Sequence, residues 1–124
     1  MPGKILIIDD EPHILLLVGS RLKANGYEVI TALSGEQGLK RAEGEKPDLI
    51  LLDYVMPEMD GEEVLRRLKA APVTEAIPVI MLTADVKNVK TQDYKVRGAA
   101  DCIFKPFPPE ELLGKVKQSL GEGH

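Results

Sequence analysis

Cysteine is nearly absent from this chain of 124 residues: Cys102 stands alone, so no internal disulfide forms and the fold needs no oxidising compartment. Long apolar runs are missing too. None approaches the ~20 residues that a helix needs to cross a bilayer. The apolar start Ile5–Ile8 is too short for a signal-peptide core and runs straight into Asp9-Asp10-Glu11, so the expected location is the cytoplasm. Basic charge is not in excess: the net charge is −4 and the pI about 5.2, which argues against a broad nucleic-acid footprint. Direct binding of nucleic acid or membrane is therefore not expected. No internal repeat, low-complexity tract or linker interrupts the chain. Apolar content of 44% and charged content of 29% are ordinary for a globular protein. A chain of this size buries roughly two-thirds of its unfolded surface, and one domain over 1–124, with a core of about 4–120, is expected.

What the chain does have is short apolar runs, each ending in a polar group. Ile5-Leu6-Ile7-Ile8 ends in Asp9-Asp10, and Leu49-Ile50-Leu51-Leu52 ends in Asp53. Val79-Ile80-Met81-Leu82 ends in Thr83, and Cys102-Ile103-Phe104 ends in Lys105. With a weaker run at 28–31, they read as buried parallel strands over 4–8, 28–31, 48–52, 77–82 and 101–104. Helical stretches separate them. Pro12 suits a first helical turn, Ile14, Leu15, Leu17, Val18 and Leu22 give an apolar face, and Gly26 marks a stop. Ser34-Gly35-Glu36-Gln37 reads as a capping box for a second helix, which fades at Gly44 and ends before Pro47. Asp60 caps a third helix, with Glu63 three residues on. Asp85 opens a fourth that reaches roughly Arg97 with a thin apolar stripe. Pro108-Pro109-Glu110-Glu111 opens the last, with Leu112, Leu113, Val116 and Leu120 facing inward. The pattern is one α/β domain of five strands and five helices.

Chemistry in an open parallel sheet gathers beyond the carboxyl ends of the strands. Asp9, Asp10, Asp53, Thr83 and Lys105 all fall there. Taken singly, each has a plain alternative: a helix cap, a turn residue, a strand-end hydroxyl, a solvated lysine. Their coincidence at four strand ends outweighs those alternatives. Clustered carboxylates repel unless a cation is supplied, and Mg²⁺ takes oxygen ligands alongside a phosphate. Asp53 follows the presumed central strand and precedes a loop, which leaves room for in-line attack. It is the candidate nucleophile for an aspartyl-phosphate. Asp9 and Asp10 read as metal holders, Lys105 as a counter-charge, and Thr83 as a hydrogen-bond donor.

The motifs Lys4–Glu11, Asp53–Gly61, Leu82-Thr83-Ala84 and Lys105-Pro106-Phe107 together resemble the receiver domain of two-component response regulators over essentially the whole chain. The resemblance implies a flavodoxin-like doubly wound (βα)5 fold with strand order 2-1-3-4-5. It implies Asp53 as phosphoacceptor, Asp10 as direct Mg²⁺ ligand, Asp9 acting mainly through water, and the Val55 backbone carbonyl as a further ligand. Thr83 and Lys105 match phosphoryl-contacting residues, and the Lys105–Pro106 bond matches one that is usually cis. The partners implied are a sensor histidine kinase or histidine phosphotransfer protein, and a downstream output domain or target protein. Such a domain assists its own phosphorylation without being a turnover enzyme. The phosphorylation-sensitive surface would comprise the fourth helix, the fifth strand and the last helix, and a homodimer through it is left open. So is the choice between a stand-alone receiver and a piece of a longer regulator.

Two positions depart from the family. Cys102 takes the place of a usual aromatic switch residue, so a ring-swing readout cannot occur there. Val55 is apolar where many relatives are polar. A rival reading, a Mg²⁺-dependent phosphohydrolase of the haloacid dehalogenase type, needs a second acid two residues after the nucleophile. That position is Val55, and no Asp-x-Asp follows any strand. A third reading is a receiver-like binding module that is never phosphorylated. Because valine cannot orient an attacking water, Val55→Asn is expected to hasten loss of the phosphoryl group. Dephosphorylation no faster than in the parent would contradict this.

Overall fold

The structure, a computed structural model, describes residues 3–83 and 98–121. All five apolar runs form strands: β1 (Lys4–Ile8), β2 (Glu28–Ala32), β3 (Leu49–Asp53), β4 (Val79–Thr83) and β5 (Asp101–Phe104). They join in one parallel sheet in the order β2-β1-β3-β4-β5. Four helices lie within the described residues: α1 (Pro12–Ala24), α2 (Gly35–Glu45), α3 (Gly61–Ala70) and the C-terminal α4 (Pro109–Ser119). The helix expected over 85–97 lies outside the described residues.

The unbroken apolar character of β3 and β4 has a direct cause: every residue in both strands is buried. Side chains alternate between the sheet's two faces. Leu6, Ile8, Ile50, Leu52 and Met81 pack against Ala42 of α2 and Val64, Leu65 and Leu68 of α3. Ile5, Ile7, Leu49, Leu51, Ile80, Leu82 and Ile103 pack against Leu15, Val18 and Leu22 of α1 and Leu112 and Val116 of α4. β2 is an edge strand, and only Ala32 in it is fully buried.

Boundaries shift by a residue or two where backbone bonding overrides pattern. Asp48 stays outside β3 because it is spent on Lys4. Its carboxylate accepts the Lys4 N–H at 2.8 Å, and its own N–H donates to the Lys4 carbonyl at 2.7 Å. Pro78 has no N–H for the ladder, so β4 begins at Val79. In α2 the Ser34 hydroxyl accepts the Gln37 N–H at 3.1 Å, while the Gln37 side chain reaches past the cap to the Leu33 N–H at 2.7 Å. That helix runs through Gly44 to Glu45 and closes on Lys46 in the left-handed region, φ 48°. One expected inward residue faces out: Leu17 is 52% exposed. Two residues on from Leu15 it has turned about 200° around the helix, so Leu15, Val18 and Leu22 form the buried stripe without it.

α2 sits hard on the sheet through Gly38. A Cβ there would meet the Ile8 side chain, with Cγ1 at 2.8 Å. In an open helix interior, Gly→Ala gains about 1 kcal/mol. Here the sign reverses: Gly38→Ala should cost about 1–3 kcal/mol through overpacking. Urea denaturation of Gly38→Ala, with and without Ile8→Ala to open the space, checks this. The double variant should recover part of the loss specific to position 38.

Candidate functional site

The hydrogen-bond ladder continues past the strand ends and fixes the residues that follow. The Asp9 N–H donates to the Ala32 carbonyl at 3.1 Å, the Tyr54 N–H to Leu82 at 2.8 Å, and the Lys105 N–H to Thr83 at 2.7 Å. Asp9, Asp53, Thr83 and Lys105 are thereby delivered to one edge of the sheet. Thr83 pairs in register with Phe104, immediately before Lys105.

At that edge the Lys105 ammonium bridges two carboxylates. Its Nζ donates to Asp9 Oδ2 at 3.0 Å and to Asp53 Oδ1 at 3.3 Å. Asp9 is fully buried and Asp53 is 4% exposed. The second Asp9 oxygen accepts the Glu11 N–H at 3.0 Å, so α1's entry loop helps hold this carboxylate. Asp10 is half-buried. Carboxylate oxygens of Asp9, Asp10 and Asp53 all lie within 4.8 Å of one another.

This crowding shows in the proton affinities. Burial first, then the Asp9 charge, pushes Asp53 up from 3.8 to about 6, against the opposing pull of Lys105. Burial works against the charged form of Lys105, but its hydrogen bond to Asp9 and the two carboxylate charges outweigh that and raise it above the ordinary lysine value. One ammonium among three carboxylates leaves excess negative charge. Hard oxygen donors at this spacing suit a divalent cation such as Mg²⁺.

The loop after Asp53 contributes a residue whose role the sequence did not reveal. Gly61, the first residue of α3, donates its N–H to the Tyr54 carbonyl at 2.8 Å. A Cβ on Gly61 would collide with the Asp53 carbonyl oxygen and would lie 2.7 Å from Tyr54 Cα. Only glycine lets the helix press directly on the backbone of Asp53. Asp60 caps α3 as expected, accepting the Glu63 N–H at 3.0 Å. The Glu63 carboxylate does not reach back to the cap; it binds Arg66 and Arg67. The Val55 side chain is exposed.

Lys105–Pro106 is cis. Thr83 is fully buried at the end of β4. Cys102 lies elsewhere, buried in the core layer beneath α2 and α3 and paired in register with Met81. Burial, then the Asp101 charge, pushes its thiol up to about 11. The segment through which Thr83 would connect to the fourth predicted helix lies outside the described residues.

Residues 5–117 match the family model described as the response regulator receiver domain. The chain is 43% identical over 120 residues to the alkaline phosphatase synthesis transcriptional regulatory protein PhoP of Bacillus subtilis, covering 97% of this chain and 49% of that protein. It superposes on chemotaxis protein CheY4 of Vibrio cholerae with a TM-score of 0.89 at 34% identity, covering 97% of this chain and all of that one. The receiver domain of the sensor histidine kinase PA1611 of Pseudomonas aeruginosa, with a magnesium ion coordinated in its active-site cleft, superposes with a TM-score of 0.88 at 28% identity, over 98% of this chain and all of that one. This chain belongs to the response regulator receiver family, a class of signalling domains. It spans about half the length of PhoP. Among the described residues no helix is long and apolar enough to cross a membrane.

The raised proton affinity of Asp53 has a stability consequence. Folded Asp53 holds its proton more tightly than the unfolded chain does, so stability present below about pH 4 is withdrawn as pH rises through about 6. In metal-free protein near neutral pH, Asp53→Asn should therefore be more stable than the parent by about 1–3 kcal/mol. The gain should fade toward pH 4, and added Mg²⁺ should narrow it by favouring the parent. Urea titrations across that pH range, with and without Mg²⁺, provide the check.

Proposed function

We propose that this receiver domain is a phosphorylation-controlled switch that takes a phosphoryl group onto Asp53 from the phosphohistidine of a sensor histidine kinase or histidine phosphotransfer protein. The observation that carries the proposal is the position of Asp53. It is the last residue of the central strand, nearly buried, 3.3 Å from the Lys105 ammonium and within 4.8 Å of the oxygens of two further aspartates.

The ionised Asp53 carboxylate attacks phosphorus, forming the acyl–phosphate O–P bond as the donor's N–P bond breaks and the imidazole leaves. Lys105 already sits beside the attacking carboxylate, so its charge stabilises the transferring oxygens without rearrangement. The Thr83 hydroxyl donates to a phosphoryl oxygen. Asp9, Asp10, Asp53 and the Val55 carbonyl would hold Mg²⁺, which supplies charge neutralisation at those oxygens. The magnesium in the PA1611 receiver domain supports this metal assignment. Such chemistry makes the domain an assistant to its own phosphorylation and dephosphorylation, not an enzyme with an external substrate.

We place the domain at 1–124 with its core at about 4–120, in the cytoplasm, acting through a downstream output domain or a separate target protein. Its similarity to transcriptional regulators of about twice its length supports an appended output domain as one form of that partner. The haloacid dehalogenase reading loses its ground, because no second acid stands two residues after Asp53.

Intact mass after incubation with acetyl phosphate should show one phosphoryl adduct that forms with Mg²⁺ and is lost on chelation. Asp53→Asn should give none. No adduct from acetyl phosphate or from a phosphorylated histidine donor would leave the binding-module reading in its place.

A further inference from the structure

Tyr54 separates the proposed phosphoacceptor, Asp53, from Val55, the residue assigned a carbonyl ligand, and bonds from its backbone and its side chain help to hold it. Its N–H donates to Leu82 of β4 at 2.8 Å, and its carbonyl accepts the N–H of Gly61 at 2.8 Å. Its phenol donates to Glu62 Oε2 at 3.2 Å. The first two bonds use the backbone and are available to any residue here. The third depends on this side chain and this partner. Glu62 lies in the first turn of α3, next to the glycine that presses on the Asp53 carbonyl. Phenol, carboxylate and helix start thus close a loop around residues 53–61.

The backbone of that loop contains a marked deviation, with Glu58 in the left-handed region at φ 68°. A non-glycine residue there costs free energy and persists only where its surroundings hold it. The side-chain bond across the loop is one such restraint. We propose that Tyr54 is a positioning residue for the metal and phosphoryl site. Through its hydroxyl on Glu62 it holds the backbone of 53–55 in the conformation that receives the divalent cation. This rests on the proposed function of Asp53. The bond touches neither metal nor phosphoryl group, so it acts on how often the site is correctly formed. Losing it lowers apparent affinity by the fraction of time the site is disordered.

The test titrates Mg²⁺ into the full chain, followed by amide NMR shifts of residues 53–61 without any phosphodonor. Acetyl phosphate phosphorylation rates as a function of Mg²⁺ form the second readout. For Tyr54→Phe, which removes only the hydroxyl, half-saturation by Mg²⁺ should rise about three- to tenfold in both, the scale of the net contribution of one ordinary hydrogen bond. The rate at saturating Mg²⁺ should fall far less. Glu62→Ala should match Tyr54→Phe, and the double variant should be no worse than either single one. Glu62→Gln keeps an acceptor oxygen and should restore most of the affinity.

Three results would overturn the proposal. One is unchanged Mg²⁺ half-saturation in Tyr54→Phe while the parent binds and is phosphorylated. Another is a weakening in Glu62→Gln as large as in Glu62→Ala, which would assign the effect to charge. The third is a parent that neither binds Mg²⁺ nor accepts a phosphoryl group, which would remove the underlying reading as well.

Discussion

A single ammonium group shared between two buried carboxylates is the constraint around which this molecule is organised. Lys105 holds Asp9 at 3.0 Å and Asp53 at 3.3 Å, where both carboxylates are buried at the ends of their strands. It links the ends of the first, third and fifth strands. The balance is deliberately incomplete in chemical terms: with Asp10 nearby, the site carries more negative than positive charge, and Asp53 is raised to about 6. An under-compensated site of this kind suits a divalent cation.

The rest of the fold makes that crowding tolerable. β3 and β4 are buried from end to end, so the backbone that carries Asp53 and Thr83 is held by the core on both faces. Ladder bonds beyond the strand ends extend that rigidity to Asp9, Tyr54 and Lys105. α3 adds a contact from above, where Gly61 admits the helix start against the Asp53 backbone. Repulsion within the site is thus opposed by the burial of the apolar layers beneath it.

β3 and β4 were legible in the sequence because each apolar run is bounded by a polar residue and two-sided burial leaves no polar residue within it. β2, an edge strand with Thr31 inside, gave the weaker signal. Asp9, Asp10, Asp53, Thr83 and Lys105 were legible as polar groups at strand ends, whereas the sheet order and the Val55 carbonyl followed from the resemblance carried by the four motifs. Asp9, Asp53 and Lys105 do converge in hydrogen bonds, and Asp10 lies within reach, while Cys102 sits apart in the core. What escaped was anything that depends on a neighbour from elsewhere in the chain. Gly38 and Gly61 look like ordinary glycines until Ile8 and Asp53 are seen against them. Leu17 looks like part of a core stripe until the helix is placed on the sheet and leaves it outside. Glu63 resembled a capping partner, but two arginines on the next turn offered it stronger, charge-assisted bonds.

The most direct test is to locate the phosphoryl group. Chain phosphorylated by acetyl phosphate in Mg²⁺ would be reduced with borohydride, which converts an aspartyl-phosphate to homoserine, and then mapped by peptide sequencing in a mass spectrometer. Homoserine confined to position 53 is the expected result. Homoserine at position 9 or 10 instead, or phosphate retained on a serine, threonine or histidine, would contradict the assignment of Asp53 as the group that the Lys105-centred site prepares for phosphorylation.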